Sequence, residues 1–243
     1  MKYVRAILIA AFIIMAIFLI YASAPNLIMR YKGLDEKNEL SVYEKQVNKI
    51  QEEKEAPKNL IKEMKEKYQN DDIFAFLSFE NLEINYPIVK AKDNDFYLNH
   101  GYDKKYNING AIFMDAENKN FYESNVILYG HRMAVGTMFN ALDKIYEHPE
   151  SNFKIVTEDG VIEYEVVSAF NADADYPYRR KQFKAGDDFS IFKKELIKRS
   201  TLKKEVDKNK KGNIVILSTC TKDSNSSNER RFIVVGREIL NKN

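Results

Sequence analysis

The chain has 243 residues, a net charge of +2, 44% hydrophobic residues and only 5 prolines. That composition is globular over most of its length and fits one domain of ordinary size plus an extension. So small a net charge gives no reason to expect nucleic acid as a partner.

Residues 2–5, Lys-Tyr-Val-Arg, are basic, and 6–24 carry no charge. The N-terminus therefore reads as a membrane-spanning helix or a secretory signal, and either places the remainder outside the cytoplasm. The apolar run exceeds the usual ~7–15-residue signal core and is just long enough to span a bilayer, which favours an uncleaved single-pass anchor in the cell membrane. Ala22-Ser23-Ala24 has the small-residue form of a cleavage site, but Pro25 follows it directly. Lys2 and Arg5 ahead of the run are answered by Arg30 and Lys32 behind it, so the free amino group tips residues 1–5 toward the cytoplasm.

Residues 25–72 read as a helical stalk or N-terminal helices, and from Arg30 onward the composition shifts to Glu, Lys, Asn and Gln. Leu40, Val42, Val47 and Ile50, then Leu60, Ile61, Met64 and Tyr68, recur at loosely helical spacing, with a break at Ala56-Pro57. Two readings of these helices stand: a solvated stalk, or a sparse apolar stripe packed on the domain that follows.

From residue 73 to 243 the period becomes that of strands. Runs at 74–79, 82–89, 110–114, 125–129, 153–157, 161–170, 214–219 and 232–236 are short and rich in β-branched and aromatic residues, and Glu158-Asp159-Gly160 is a hairpin signal. Many strands with few helices between them predict a mainly β fold, a closed or nearly closed barrel. Two inserted helices are expected: 135–146, with Met138, Phe139, Leu142 and Ile145 on one face, and 188–199, entered through aspartates that can cap it.

Cys220, the only cysteine, stands where the 214–219 strand meets a loop rich in Ser and Asn. It is either a small core hydrophobe or, in an exported chain, a thiol kept for reactivity. A thiol needs a partner that generates or holds the thiolate. His131 is the best-placed histidine, since it too follows a buried strand, one that ends in Gly130. His100 and His148 sit in polar loops and read as surface residues. Arg230 and Arg231 precede the last strand, and a guanidinium there can stabilise a thiolate or a developing oxyanion, unless the two are an ordinary exposed pair. Strand alternation puts Arg231, Ile233 and Val235 on one face and Arg230, Phe232 and Val234 on the other, without saying which face holds the thiol. No metal site is expected from one cysteine and three scattered histidines, and no cofactor is called for.

Tyr-Gly-His-Arg-Met at 129–133 with the following Thr-Met-Phe-Asn-Ala-Leu, Leu-Ser-Thr-Cys at 217–220, and Arg-Phe-Ile-Val-Val at 231–235 together resemble the sortases, class B in particular. The resemblance covers about residue 72 to the end, with the anchor and the N-terminal helices similar in kind. It implies an eight-stranded barrel with N-terminal helices and an inserted helix before the cysteine strand. Cys220 would then be the nucleophile, His131 the general acid/base, and Arg231 the group that stabilises the oxyanion. The substrate would be a C-terminal sorting signal of NPxTx or SPxTG form, cut after Thr through a thioacyl enzyme. The acyl group would pass to an amine of peptidoglycan or a pilin. By resemblance Ser218 and Thr219 lie beside the scissile bond, Tyr176 and Tyr178 are candidates for the groove wall, and Asp223 falls where the class often carries an acidic residue. One departure is Ile216, where the common signature has threonine.

Two other functions fit the same residues: a secreted cysteine protease with water as acceptor, and an anchored barrel that binds without catalysis. The order His then Cys is the reverse of papain's, and no papain-like signature surrounds Cys220.

Overall fold

The structure, a computed structural model, describes residues 2–53, 58–133, 136–221 and 229–240. Strands β1 (Ile73–Phe79), β2 (Asn85–Val89), β3 (Ile112–Met114), β4 (Asn125–Tyr129), β5 (Asn152–Val156), β6 (Val161–Asp173), β7 (Ile214–Cys220) and β8 (Arg230–Glu238) close into one barrel in the order β1-β2-β3-β4-β7-β8-β6-β5. Neighbours are antiparallel except β2 with β3 and β4 with β7. The expected closed eight-stranded architecture is therefore what the chain forms.

The central strands are buried on both faces, which explains their unbroken apolar runs. Along β7, Val215 and Leu217 point into the main core, while Ile214 and Ile216 point the other way, into a second cluster. That second cluster lies under helix α3 (Asp188–Lys198), which contributes Phe192, Leu196 and Ile197. Arg180 and the amide of Lys184 both bond to the carboxylate of Asp188 at its first turn.

Three expected elements begin later than their apolar patterns suggest, among them β3, expected from 110 and starting at Ile112. Leu82 and Ile84 are buried but sit in a turn, with the Ile84 amide donating to Leu82 O at 2.7 Å, so the second strand starts at Asn85. The helix expected over 135–146 is a 3-10 helix, Phe139–Tyr146. The Phe139 amide donates to His131 O at 2.9 Å and Met138 adopts φ 54°, so the chain is pinned backwards before a helix can begin.

Helix α1 (Lys2–Glu53) runs unbroken from the apolar segment into the part that docks on the barrel, and α2 (Lys58–Tyr68) follows. The break at Ala56-Pro57 lies outside the described residues. Leu40, Tyr43 and Val47 of α1 and Leu60, Ile61 and Met64 of α2 are all buried in the main core, whereas Val42 faces solvent. Burying such side chains is worth roughly 1.5–3 kcal/mol each, so the six together match the net stability of a typical domain, about 10 kcal/mol. The helices are integral to the domain on that scale, and the stripe packs where a solvated stalk would leave it in water. One window among the described residues, Tyr3–Ala24, is long and apolar enough to cross a membrane, and none of it is buried.

Candidate active site

Parallel pairing of β4 with β7 brings the C-terminal ends of both strands to the same rim of the barrel, with Tyr129 opposite Ser218. His131 follows one of these ends and Cys220 closes the other. The antiparallel strand β8 starts at that rim, and its register places Arg231 opposite Cys220. One rim therefore gathers three residues that are far apart in sequence.

The two arginines lie on different faces. Phe232 and Val234 enter the main core, and Ile233 and Val235 enter the second cluster. Alternation puts Arg231 on the face of Ile233 and Cys220 on the face of Ile214 and Ile216, which is the same side of the sheet. Arg231 Nη1 donates to Cys220 Sγ at 3.3 Å, and its Nη2 lies 3.6 Å from Glu229 Oε2. Arg230 is directed elsewhere, its Nε 3.8 Å from Asp173 Oδ1.

Around His131 two glycines allow close approach. A Cβ at Gly130 would fall 2.7 Å from the Phe139 ring. Gly110 has φ +61°, and a Cβ there would meet Tyr97 O at 2.6 Å and His131 Cδ2 at 3.1 Å. His131 Nε2 lies 2.7 Å from Leu98 O. A carbonyl only accepts, so Nε2 carries the hydrogen and Nδ1 is the nitrogen left for proton exchange.

Cys220, His131, Arg231, Ser218, Thr219 and Tyr178 line one cleft of about 310 Å³. The Tyr178 hydroxyl and Ser218 Oγ are hydrogen-bonded at 3.0 Å, and the Thr219 hydroxyl is buried with no hydrogen-bond partner among the described residues. Tyr176 is not in the cleft lining: its ring packs edge-on against Phe170 and lies under the Arg199 guanidinium at 4.2 Å. Asp223 lies outside the described residues. His100 stacks on Phe96 and His148 is exposed.

Sequence reasoning missed much of the wall. Asn94, Asp95 and Leu98 come from the β2–β3 connection, Tyr129 from β4, and Arg179 from the segment after β6. Tyr129 carried a usable signal, because it is two residues from His131 and shares the face of Ile127. The β2–β3 residues carried none, since only the parallel crossover of that connection brings them to the rim.

Burial is the largest influence on Asp115 and pushes its carboxyl up, but Lys181, the Tyr129 hydroxyl and the Glu117 amide together hold it below the usual range. The Tyr129 phenol is pushed up, by burial first and by Asp115 second. Among the described residues no group of three or more His, Cys, Asp or Glu could hold a metal ion.

A family model described as the sortase domain matches residues 77–239. Sortase B of Listeria monocytogenes is 32% identical over 182 residues, 71% of this chain and 72% of that protein. Sortase B of Staphylococcus aureus is 30% identical over 214 residues, 85% of this chain and 87% of that one. The X-ray structure of Clostridium perfringens sortase B superposes with a TM-score of 0.65 at 28% identity, covering 74% of this chain and 99% of that one.

Proposed function

This chain belongs to the sortase family, in its class B, and is a cysteine transpeptidase of cell-wall sorting; we propose that Cys220, His131 and Arg231 carry its reaction. The observation that supports this most is the 3.3 Å contact between the Arg231 guanidinium and the Cys220 sulfur, in the cleft that His131 also lines.

In this reading Sγ gives its proton to His131 Nδ1 and attacks the carbonyl carbon of Thr in a sorting signal of NPxTx or SPxTG form. Arg231 lies beside the sulfur, where a planar pair of donors can hold charge on the carbonyl oxygen as the tetrahedral centre forms. His131 gives a proton from Nδ1 to the leaving amine, while its Nε2–H stays on Leu98 O and keeps the ring in place. A thioacyl enzyme remains. An amine of peptidoglycan or a pilin then attacks the thioester, loses its proton to the same nitrogen, and releases Sγ. The apolar part of α1 anchors the enzyme in the cell membrane with the barrel outside.

The test incubates the full-length protein in detergent with peptides of the forms NPxTx, SPxTG and LPxTG, with and without an amine acceptor, and follows products by mass spectrometry. An acyl adduct on Cys220 and diversion of product from acid to amide are expected. Cleavage with the acid as sole product, whatever amine is added, would make the chain a hydrolase. No cleavage and no adduct would leave a binding barrel.

A further inference from the structure

We infer that Asp115, a residue that touches neither the thiol nor the imidazole, is the positioning residue that sets the width of the substrate cleft. The inference rests on the transpeptidase reading above. Asp115 directly follows β3 and its amide donates to Ile127 O at 3.0 Å, so its backbone is fixed to the barrel. The side chain is buried, and its two oxygens are shared among separate segments that supply the cleft lining.

On one oxygen, Oδ1 accepts from Lys181 Nζ and from the Glu117 amide at 3.0 Å. Lys181 belongs to the segment after β6 that also carries Tyr178 and Arg179, one wall of the cleft. On the other, Oδ2 accepts from the Tyr129 hydroxyl at 2.7 Å and faces Asn94 Nδ2 at 3.4 Å. Tyr129 and Asn94 are both part of the cleft lining, from β4 and from the β2–β3 connection. Asn94 is held at its other end too, by the Ala116 amide at 2.8 Å. One carboxylate thus ties together three separate pieces of chain that a peptide in the cleft would touch.

The chemistry suits a fixed node better than a reactive one. The Lys181 side chain is 13% exposed and that of Asp115 only 4%, so removing Lys181 strands the carboxylate away from water, whereas removing the carboxylate leaves Lys181 its second partner, Glu117 Oε2 at 2.9 Å. The backbone of the same segment has its own tether, with Asn125 Nδ2 donating to Tyr178 O and Arg180 O at 3.0 and 2.8 Å. The segment therefore stays folded on the barrel when the carboxylate is neutralised, and what changes is the spacing between walls. An extended peptide reads that spacing through its side chains. A small electrophile at the thiol does not.

The test compares wild type with Asp115→Asn and Lys181→Met, singly and together, in full-length protein, with circular dichroism and thermal melting as folding controls. Each single variant is expected to raise KM for the best sorting peptide about tenfold or more, to narrow its preference over the other peptides, and to change kcat by only a few-fold. Alkylation of Cys220 by iodoacetamide should keep its wild-type rate. The double variant should cost less than the product of the singles, since both remove the same contact. Two outcomes overturn the inference: wild-type KM and peptide preference in both single variants, or a loss confined to kcat with altered alkylation. A wild-type protein that cleaves no peptide of the panel overturns the transpeptidase reading and takes this inference with it. A variant that fails to melt cooperatively is replaced as witness by the other, since Lys181 sits in a surface segment.

Discussion

Arg231 and Cys220 face each other as a register pair across β7 and β8, with guanidinium Nη1 3.3 Å from Sγ. The contact follows from strand alternation and pairing, so a neighbour one residue away cannot replace it. Arg231→Ala should lose about 10²–10³-fold in kcat, the usual cost of removing an oxyanion donor. Arg231→Lys should also be severely impaired, because a single ammonium cannot reproduce a planar fork. Arg230→Ala, on the other face beside Asp173, should stay within a few-fold of wild type. Parallel kinetics on the three variants decide it, and a dead Arg230→Ala beside an active Arg231→Ala would reverse the assignment.

Cys220→Ala replaces a small residue at the end of a strand with another small one. Thermal melting should move little, while cleavage and the acyl adduct both vanish. Turnover above a few per cent of wild type would remove Cys220 from the nucleophile's role.

His131→Ala should cost ~10²–10⁴-fold, the usual share of a general acid/base. Because Nε2–H is committed to Leu98 O, the neutral imidazole is expected to be the Nε2–H tautomer, which nitrogen-15 chemical shifts of the labelled ring would report. EDTA should leave the rate unchanged. Inhibition that a divalent ion reverses would contradict this mechanism.

Glu36 of α1 gives a pH dependence to stability. Burial is the main cause that pushes its carboxyl up to about 7, although Lys32 and the hydrogen bond from Asn107 at 2.8 Å pull the other way. A carboxyl raised on folding binds its proton more tightly in the folded state. Its contribution is complete below the ordinary value of 4.5 and is lost as pH rises through about 7. Thermal melting of Glu36→Gln against wild type should show the variant gaining on wild type between about pH 5 and pH 8. A constant difference across that range would show that Glu36 is not the group responsible.

How much of this was legible beforehand depended on range. The runs of β7 and β8 announced themselves because both faces of those strands are buried, and the ends of β4 and β7 were visible at Gly130-His131 and Thr219-Cys220. Alternation separated Arg230 from Arg231, but the face of the thiol depends on pairing between strands, which no local pattern carries. The choice between Tyr176 and Tyr178 was hidden for a similar reason. Both flank Pro177, and Tyr178 turns inward because Asn125, more than fifty residues earlier in the chain, holds its carbonyl. Asp115 and Asn94 gave no sign at all, since their meeting depends on the β2–β3 crossover. The continuity of α1 was hidden by composition: the change from apolar to charged residues alters what surrounds the helix without stopping its backbone.

That continuity couples angle to sequence length. Between Ala24, the last residue of the apolar window, and Gly33, where α1 first packs against Thr137 and Asn109, the chain is one helical shaft. Each residue inserted there would lift the barrel by about 1.5 Å and swing the cleft by about 100° around the shaft. Seven inserted residues would bring the cleft back to within about 20° of its original bearing, at a height about 10 Å greater. Activity toward a substrate held at a surface should then vary with insertion length as a wave of helical period, while a free peptide in solution would register none of it.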